Sequence, residues 1–347
     1  MNGSFFIAED YQYIAWAIDL GQSLMFYDSF ILFPIGIILN IIEILIFRLQ
    51  TFTKTTMGFY FSINCVLNIS ILTFLLIIAI LIIFLNMNLM FYSTISCILY
   101  FVIMLIIYQS ISWLNVIICA DRLLFVLYPN KFKFAKNKQI LCLILLVMFV
   151  MIILVNVPSF FFQLYEIKSN SSISNTTVVT QFCTASFEIS TARETLAILW
   201  RIIIPFILMF VMNIFLIVKV KESKKKFSKN NNQEFRFVFT VIVSTLIFLI
   251  ILIPNLVLAV YSNYYRVNTS MPQRQTFSAF LFLLEITTAN VYLVRYSFDI
   301  IFQIIFNSVF RNHVFRIIAN LFGLSKVRIE SSSGGRSNKT NKTKSTK

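Results

Sequence analysis

Seven long apolar runs constrain this chain more than any other feature. They lie near residues 28–48, 57–86, 96–120, 139–162, 196–219, 235–261 and 278–303. Each run reaches the roughly 20 residues that cross a bilayer core as a helix. The runs are continuously apolar instead of alternating, which indicates helices and not barrel strands. Only 12% of the residues are charged, so there is too little polar material to cover a soluble fold. The sequence predicts an all-α integral membrane protein, a seven-transmembrane-helix bundle.

The distribution of Lys and Arg predicts the orientation of this bundle. With the N-terminus outside, the cytoplasmic segments hold 23 basic residues, the outer segments four and the spans two. Cytoplasmic loops carry the excess of positive charge, so we expect an extracellular N-terminus in the plasma membrane. The start MNGSFFIAED has no basic region, so the first span is expected to serve as the insertion signal. The net charge of +15 indicates contact with anionic membrane lipids and argues against nucleic acid.

N-glycosylation motifs agree with this orientation. Four acceptors fall on outer segments: Asn2, Asn170, Asn175 and Asn268. Three further motifs, at Asn68, Asn338 and Asn341, fall in a span or on the inner side. The motifs therefore support the topology without proving it.

The remaining segments predict the domain boundaries. We expect an extracellular N-terminus at 1–27, the helical domain at 28–303, an interfacial helix at 304–322 and a disordered cytoplasmic tail at 323–347. The outer segment 163–195 is long enough to fold over the mouth of the bundle. The interfacial helix is predicted from apolar residues at helical spacing, and its alternative is an extension of the seventh helix into solvent. Those apolar residues are Phe310, Val314, Ile317, Ile318 and Leu321.

The third run ends in a motif with informative spacing. Asp121 and Arg122 lie at the inner end of an apolar helix, where charges are costly. Pro129 stands seven residues after Arg122, and Cys97 stands 25 residues before it. This pattern resembles the rhodopsin-like family of G-protein-coupled receptors, whose third helix ends Asp-Arg-Tyr; here Leu123 replaces the Tyr. The resemblance covers residues 25–322 and implies a receptor of the invertebrate chemosensory or peptide type.

The other helices match this family in part. Asn40 stands where the family has a polar Asn in the first helix, and Pro205 and Pro254 match its helix-bending prolines. The departures are Asn213 for a Tyr in the fifth helix, Leu252 for a Trp in the sixth, and Asp299-Ile-Ile-Phe-Gln303 for Asn-Pro-x-x-Tyr in the seventh. These departures affect the family's switch motifs, so a non-signalling seven-helix protein is an alternative.

Two departures look compensated. The family has Asp in the second helix facing Asn in the seventh, and here the aligned residues are Asn68 and Asp299. The resemblance implies that the two residue types are exchanged at one buried contact. The alternative is that Asn68 bonds another helix by itself, while Asp299 pairs with Arg295 one turn earlier.

The resemblance also implies a disulfide and a resting-state ion pair. Of five cysteines, only Cys97 and Cys183 lie at or beyond the outer boundary, where a bridge can form. Arg122 has two candidate partners, the adjacent Asp121 and an acid that the family often carries twenty residues before the Pro of the sixth helix. That position is Glu234. The alternative for Glu234 is a solvated charge.

The resemblance implies a signalling protein and not an enzyme. Its partners would be an extracellular ligand and a heterotrimeric G protein, with arrestin and a receptor kinase acting through the tail. The single His leaves no His-ligated metal centre, and no cofactor is expected. The rival class, a channel or transporter, would need polar residues converging along one path, whereas here Glu43, Arg201, Glu285, Arg295 and Asp299 are scattered over three helices.

The resemblance narrows the class of ligand. Met104 stands where amine receptors of the family carry an Asp, and residues 278–303 contain no Lys that could bind retinal. A peptide-like or small chemosensory ligand remains. Arg201 and Glu285, near the outer ends of the fifth and seventh helices, are candidate ligand contacts with Met104. The alternative is that the two charges pair within the bundle.

Overall fold

Long antiparallel helices account for most of the chain in the computed structural model. It describes residues 15–17, 19–53, 55–128, 138–170, 177–226, 232–268, 274–306 and 308–321. Within those residues, six helices are long and apolar enough to cross a membrane, and Gln139–Val155 is a shorter apolar helix. These helices confirm the predicted bundle of seven spans.

Among the first four helices, side-chain caps mark the starts of the second and the third. They are α1 (Ala15–Phe47), α2 (Thr56–Leu85), α3 (Thr94–Leu127) and α4 (Lys138–Val155). The Thr55 side chain accepts a hydrogen bond from the Gly58 N–H at the start of α2. Asn86 ends α2 with φ of 50°, a left-handed conformation that Asn tolerates better than most residues. Ser93 and Ser96 form a reciprocal capping box at the start of α3.

An antiparallel hairpin follows α4. It consists of β1 (Gln163–Asn170) and β2 (Thr177–Thr184), with Leu164 opposite Cys183. The sequence predicted only a long outer segment over residues 163–195. The structure corrects this in two ways, because the segment contains the hairpin and because the fifth helix already begins at Phe187.

The remaining helices complete the bundle. We define α5 as Phe187–Ile198, a π-helical turn Leu199–Ile203, and Ile204–Lys226; it is followed by α6 (Asn232–Asn268), α7 (Arg274–Phe306) and α8 (Ser308–Leu321). Pro205 lies two residues beyond the π turn and Pro254 lies inside α6, so both prolines that were predicted to bend helices fall within helices. The helical path of α7 is broken at Phe298, with φ −115° and ψ 23°.

The helices pack around α3, which contacts α2, α4, α5 and α6. A close approach joins α1, α2 and α7 at Gly36. A Cβ atom there would lie 2.7 Å from Ser297 Cβ and 2.8 Å from Leu72 Cδ1. Any larger residue at this position would force the three helices apart. The outward face of α4 carries exposed Leu143, Leu146 and Val147, which is typical of a surface that faces lipid.

The helix α8 docks on the inner end of the bundle. Phe310 is fully buried, with its ring 5.2 Å from Phe47 and 6.2 Å from Phe52. This packing confirms the predicted interfacial helix and excludes the alternative of an extension into solvent. His313 lies against Phe52 at 5.7 Å. Burial and, secondarily, the charge of Arg316 lower the pKa of His313 from its ordinary 6.5, so the ring is neutral at neutral pH.

Candidate functional site

A cavity of about 350 Å³ opens between α3, α5, α6 and α7. Met104, Arg201 and Glu285, the three residues predicted as ligand contacts, all line it. Its other lining residues are Leu105, Tyr108, Ser112, Glu194, Ala197, Ile198, Asn255, Leu258, Ala259, Thr288, Ala289, Tyr292 and Tyr296. The volume is at the lower end of the roughly 300–1,000 Å³ typical of small-molecule sites.

Aromatic side chains pack beneath this cavity. The Tyr108 and Tyr296 rings are 6.1 Å apart, Tyr292 is 5.9 Å from Tyr296, and Phe248 of α6 is 6.3 Å from Tyr292. Phe248 and Tyr296 are fully buried. These rings link α3, α6 and α7, so a ligand that displaces one of them acts on three helices together.

The π turn in α5 positions Arg201. This turn holds one more residue than an α-helical turn, and such bulges are frequent at functional sites. Arg201 lies in the turn, lines the cavity, and places its guanidinium 5.8 Å from the centre of the Tyr108 ring. Beside it, Trp113 stacks on Trp200 at 4.6 Å, and the Trp113 Nε1–H donates to the Trp200 carbonyl over 3.0 Å. Together these contacts attach the outer part of α5 to α3.

A disulfide holds the hairpin at the outer end of α3. Cys97 and Cys183 are bonded, with their Cα atoms 5.9 Å apart, which confirms the predicted pairing. Nearby, the Arg193 guanidinium lies between the rings of Phe101 and Phe162, at 4.4 and 4.2 Å. Arg193 also forms an ion pair with Glu194. The charge of Glu194 is therefore balanced, although its side chain lines the cavity.

A buried polar cluster lies where α1, α2 and α7 meet, and it corrects one prediction. Asn68 does not contact Asp299 as a hydrogen-bonded pair: its Nδ2 donates to Asn40 Oδ1 over 3.2 Å. The partner of Asp299 is Asn64, one turn earlier in α2, whose Nδ2 donates to Asp299 Oδ2 over 3.0 Å. An amide–carboxylate contact between the second and seventh helices therefore exists, displaced by one helical turn.

The same cluster contains two further ionisable residues. Arg295 is 3% exposed and lies 4.4 Å from the centre of the Phe248 ring. Among the described residues, no hydrogen bond or ion pair joins Asp299 to Arg295, so the alternative pairing of these two residues is not observed. Glu43 of α1 is fully buried beside Asp299, with the Cys65 thiol in reach of its carboxyl group. The interior therefore holds two neighbouring carboxyl groups, Glu43 and Asp299, and neither forms an ion pair with Arg295 among the described residues.

The inner end of α3 holds Arg122 through two contacts. Arg122 Nη2 lies 2.7 Å from Asp121 Oδ2 and donates to Thr56 Oγ1 over 2.6 Å, and the Thr56 hydroxyl donates to the same Asp121 oxygen over 3.0 Å. Both charged side chains are buried. The structure therefore shows Arg122 in contact with Asp121, one of its two candidate partners. The side chain of the other, Glu234, is outside the described part of the chain.

The sequence model of one protein family, the 7 transmembrane receptor (rhodopsin family), matches residues 39–292 of the chain. This chain belongs to that family. Members of the family are signalling receptors and not enzymes. No curated protein sequence matches the receptor.

Several contacts of the receptor were not predicted. Thr56 donates a hydrogen bond to Asp121, and Asn64 donates one to Asp299. Thr245 of α6 donates to Asn213 of α5 over 3.0 Å. Asn213 occupies the position where the family has Tyr, so the polar link between α5 and α6 is formed by an amide here. The signal for Thr56 and Asn64 was their spacing along α2, since Thr56, Asn64 and Asn68 recur on one helix face, but a single sequence does not show which helix that face meets.

Other predicted sites lie beyond what the structure describes. Asn2 and Asn175 are outside the described residues, as is the tail from residue 322 onward. Asn170 ends β1 and Asn268 ends α6, but their side chains are not described. Among the described residues, no group of three or more His, Cys, Asp or Glu could hold a metal ion.

Proposed function

We propose that the receptor binds a small extracellular ligand in the cavity between α3, α5, α6 and α7 and activates a heterotrimeric G protein at its inner face. The observation that carries this proposal is the placement of two sites on one helix. Met104 of α3 lines the cavity, and Arg122 of the same helix lies 18 residues further on. At about 1.5 Å per residue the two are roughly 27 Å apart, close to the thickness of the bilayer core.

The aromatic cluster offers a physical route between these two sites. Tyr108 lines the cavity from α3, and its contacts through Tyr296 and Tyr292 reach Phe248 in α6. A ligand that binds one arrangement of these rings better than another shifts the population of the bundle toward it. The inner end of α6 then moves relative to Arg122.

Orientation and regulation are part of the same proposal. The N-terminus would be extracellular, with sugar on Asn2, Asn170, Asn175 and Asn268. The basic inner segment 219–236 and the helix α8 would flank the G protein, and the tail 323–347 would recruit arrestin and a receptor kinase. The charge asymmetry of the sequence supports this orientation, and nine Ser and Thr residues after residue 324 support phosphorylation.

A nucleotide-exchange assay tests the receptor function. Membranes that carry the receptor and purified heterotrimeric G proteins should show faster GTPγS uptake than membranes that carry Arg122→Ala at equal surface density. Equal uptake by the two, with every G-protein class, would support the alternative of a non-signalling seven-helix protein. A flux assay on the same vesicles tests the transporter alternative, for which solute uptake should follow receptor density.

A further inference from the structure

We propose that the cavity recognises a small zwitterion with an aromatic or apolar body, its anionic group bound by Arg201 and its cationic group by Glu285. This inference rests on the proposed function, since it assigns a ligand class to the same cavity. Two opposite charges line the cavity on different helices, Arg201 on α5 and Glu285 on α7.

The two charges are not neutralised by each other or by neighbours in the described part of the receptor. The ion pairs there are Asp121–Arg122, Arg193–Glu194 and Lys219–Glu222, and no hydrogen bond from the Arg201 guanidinium or to the Glu285 carboxylate is present among the described residues. The third charged residue of the cavity, Glu194, is held by Arg193. Arg201 and Glu285 are therefore the charges that remain available to a ligand.

The other residues that line the cavity determine which uncharged groups of a ligand fit between the two charges. Tyr108, Tyr292 and Tyr296 contribute aromatic rings to the lining, while Met104, Ala197 and Leu258 add apolar contact. Aromatic faces bind flat apolar groups and, through the ring quadrupole, cations. The volume of about 350 Å³ admits a compact molecule and not a folded peptide.

The pairing chemistry makes charge on both ends necessary. An arginine fork binds a carboxylate through two parallel hydrogen bonds, and a carboxylate accepts from an ammonium group. A ligand with one charge would engage only one of the two residues, half-buried Arg201 or exposed Glu285, and would forgo the charge-assisted hydrogen bond of the other. A molecule with both groups satisfies both residues at once, as amino acids and short peptides do.

Direct binding to the purified receptor in phospholipid nanodiscs tests this assignment. The probes are L-tryptophan, Gly-Trp and Gly-Gly-Trp, which vary the separation of the two charges, and two analogues that each lack one charge, tryptamine and indole-3-propionate. We expect at least one zwitterion to bind saturably by calorimetry and to raise the melting temperature. Each analogue should bind about 10- to 100-fold more weakly, the loss expected for one hydrogen bond to a charged group.

Variants show which residue binds the anionic group of the ligand and which binds the cationic group. In Arg201→Gln the zwitterion should lose its advantage over tryptamine, and in Glu285→Gln it should lose its advantage over indole-3-propionate. Arg48→Gln and Glu188→Gln change exposed charges outside the cavity and should leave both preferences intact. If a single variant fails to fold, the exchange of both charges, Arg201→Glu with Glu285→Arg, keeps both ligand contacts and should still prefer the zwitterion.

The proposal is overturned if no zwitterion binds, if the analogues bind as tightly as the zwitterions, or if the variants leave these preferences unchanged. The G-protein assay is read separately. Zwitterion binding without nucleotide exchange would retain the ligand assignment and remove the receptor function. Nucleotide exchange stimulated by a molecule with a single charge would retain the receptor function and remove the assignment of a zwitterionic ligand.

Discussion

Asn64 and Asp299 join the second and seventh helices through a buried hydrogen bond, in which Asn64 Nδ2 donates to Asp299 Oδ2 over 3.0 Å. Both side chains are at most 2% exposed. The bond lies directly after Phe298, where the helical path of α7 is broken. Movement of the inner part of α7 would therefore break or remake this bond first.

Removal of the donor should destabilise the receptor. Asn64→Leu leaves the Asp299 carboxylate without its hydrogen bond, and we expect a loss of about 1.5–3 kcal/mol in the free energy of unfolding. Asp299→Asn removes the charge, so the double variant should be less destabilised than the sum of the two single variants. The measurement is thermal unfolding in detergent. Asn115→Leu is the control, because within the described part of the chain Asn115 donates to the Ile111 carbonyl of its own helix and to no other helix. A strictly additive cycle would contradict the pairing.

Two contacts that would hold Arg122 in the resting state, one with Thr56 and one with Glu234, can be compared through the ligand-independent activity of variants. We call each of them a clamp. Thr56→Val removes the hydroxyl that joins Arg122 and Asp121, and Glu234→Gln removes the acid expected at the inner end of α6. An exposed ion pair with Glu234 and a hydrogen bond from Thr56 each contribute about 1 kcal/mol, which corresponds to a several-fold change in a two-state population. We expect each variant to raise ligand-independent nucleotide exchange several-fold, whereas Arg122→Ala should lower coupling.

The control for this comparison is Thr73→Val, the same change at a second position of α2. All variants are measured at matched surface expression. An unchanged basal rate in Glu234→Gln together with a raised rate in Thr56→Val would assign the resting clamp to α2 alone. An unchanged rate in both would remove the clamp from the mechanism.

Loss of the disulfide should release the hairpin. Cys97→Ser and Cys183→Ser each break the covalent link between β2 and α3, and removal of such a bridge typically costs about 2–5 kcal/mol. We expect either change to abolish surface expression or ligand response, as measured by antibody labelling of intact cells. Cys142→Ser, which changes an exposed cysteine outside the bridge, should behave like the natural receptor. Two free thiols at 97 and 183 by peptide mapping would refute the link.

Neutralisation of Glu43 should stabilise the bundle. Its carboxyl group is fully buried, with the Cys65 thiol in reach and the Asp299 carboxyl group nearby. Glu43→Gln keeps the shape and removes one of the two acids, so we expect the free energy of unfolding to rise by about 1 kcal/mol. Differential scanning fluorimetry measures the shift, with Glu188→Gln as an exposed control. A lower melting temperature for Glu43→Gln than for the control would show that the negative charge is needed for folding.

Deletion of residues 325–347 should separate signalling from its termination. The deletion removes all nine Ser and Thr residues of the tail and leaves α8 intact. We expect normal surface expression and nucleotide exchange but slower desensitisation, followed as loss of response during continued stimulation. Substitution of the nine residues by Ala should reproduce the effect in the full chain. Loss of surface expression would show that the tail is needed for folding or transport.

The sequence predicted the helices well because hydropathy reports membrane burial directly. The spacing of Cys97, Arg122 and Pro129 further fixed the register of α3. The position of Asp299 in α7 was also right, but its partner was displaced from Asn68 to Asn64. Residues four apart share a helix face, so spacing selects the face of α2, while the depth of contact depends on how α2 slides against α7.

The hairpin was missed for a different reason. Its sequence is rich in Ser, Thr and Asn between the two strands, and Gln181 and Glu166 bond each other across the ladder. Composition therefore suggested an irregular loop. The pairing becomes favourable because the Cys97–Cys183 bridge and Phe162 fix one end of the hairpin against α3. Such tertiary restraints leave no periodic pattern in a single sequence.

The π turn at Leu199–Ile203 has a consequence for how relatives of this receptor are compared. One additional residue in a helical turn rotates everything before it by about 100° relative to a regular helix. Counting outward from Pro205 at the ordinary periodicity would consequently assign Glu194, Ala197 and Ile198 to the wrong side of α5, although all three line the cavity. Alignment of the outer half of this helix with that of a relative lacking the bulge requires a one-residue gap within 199–203.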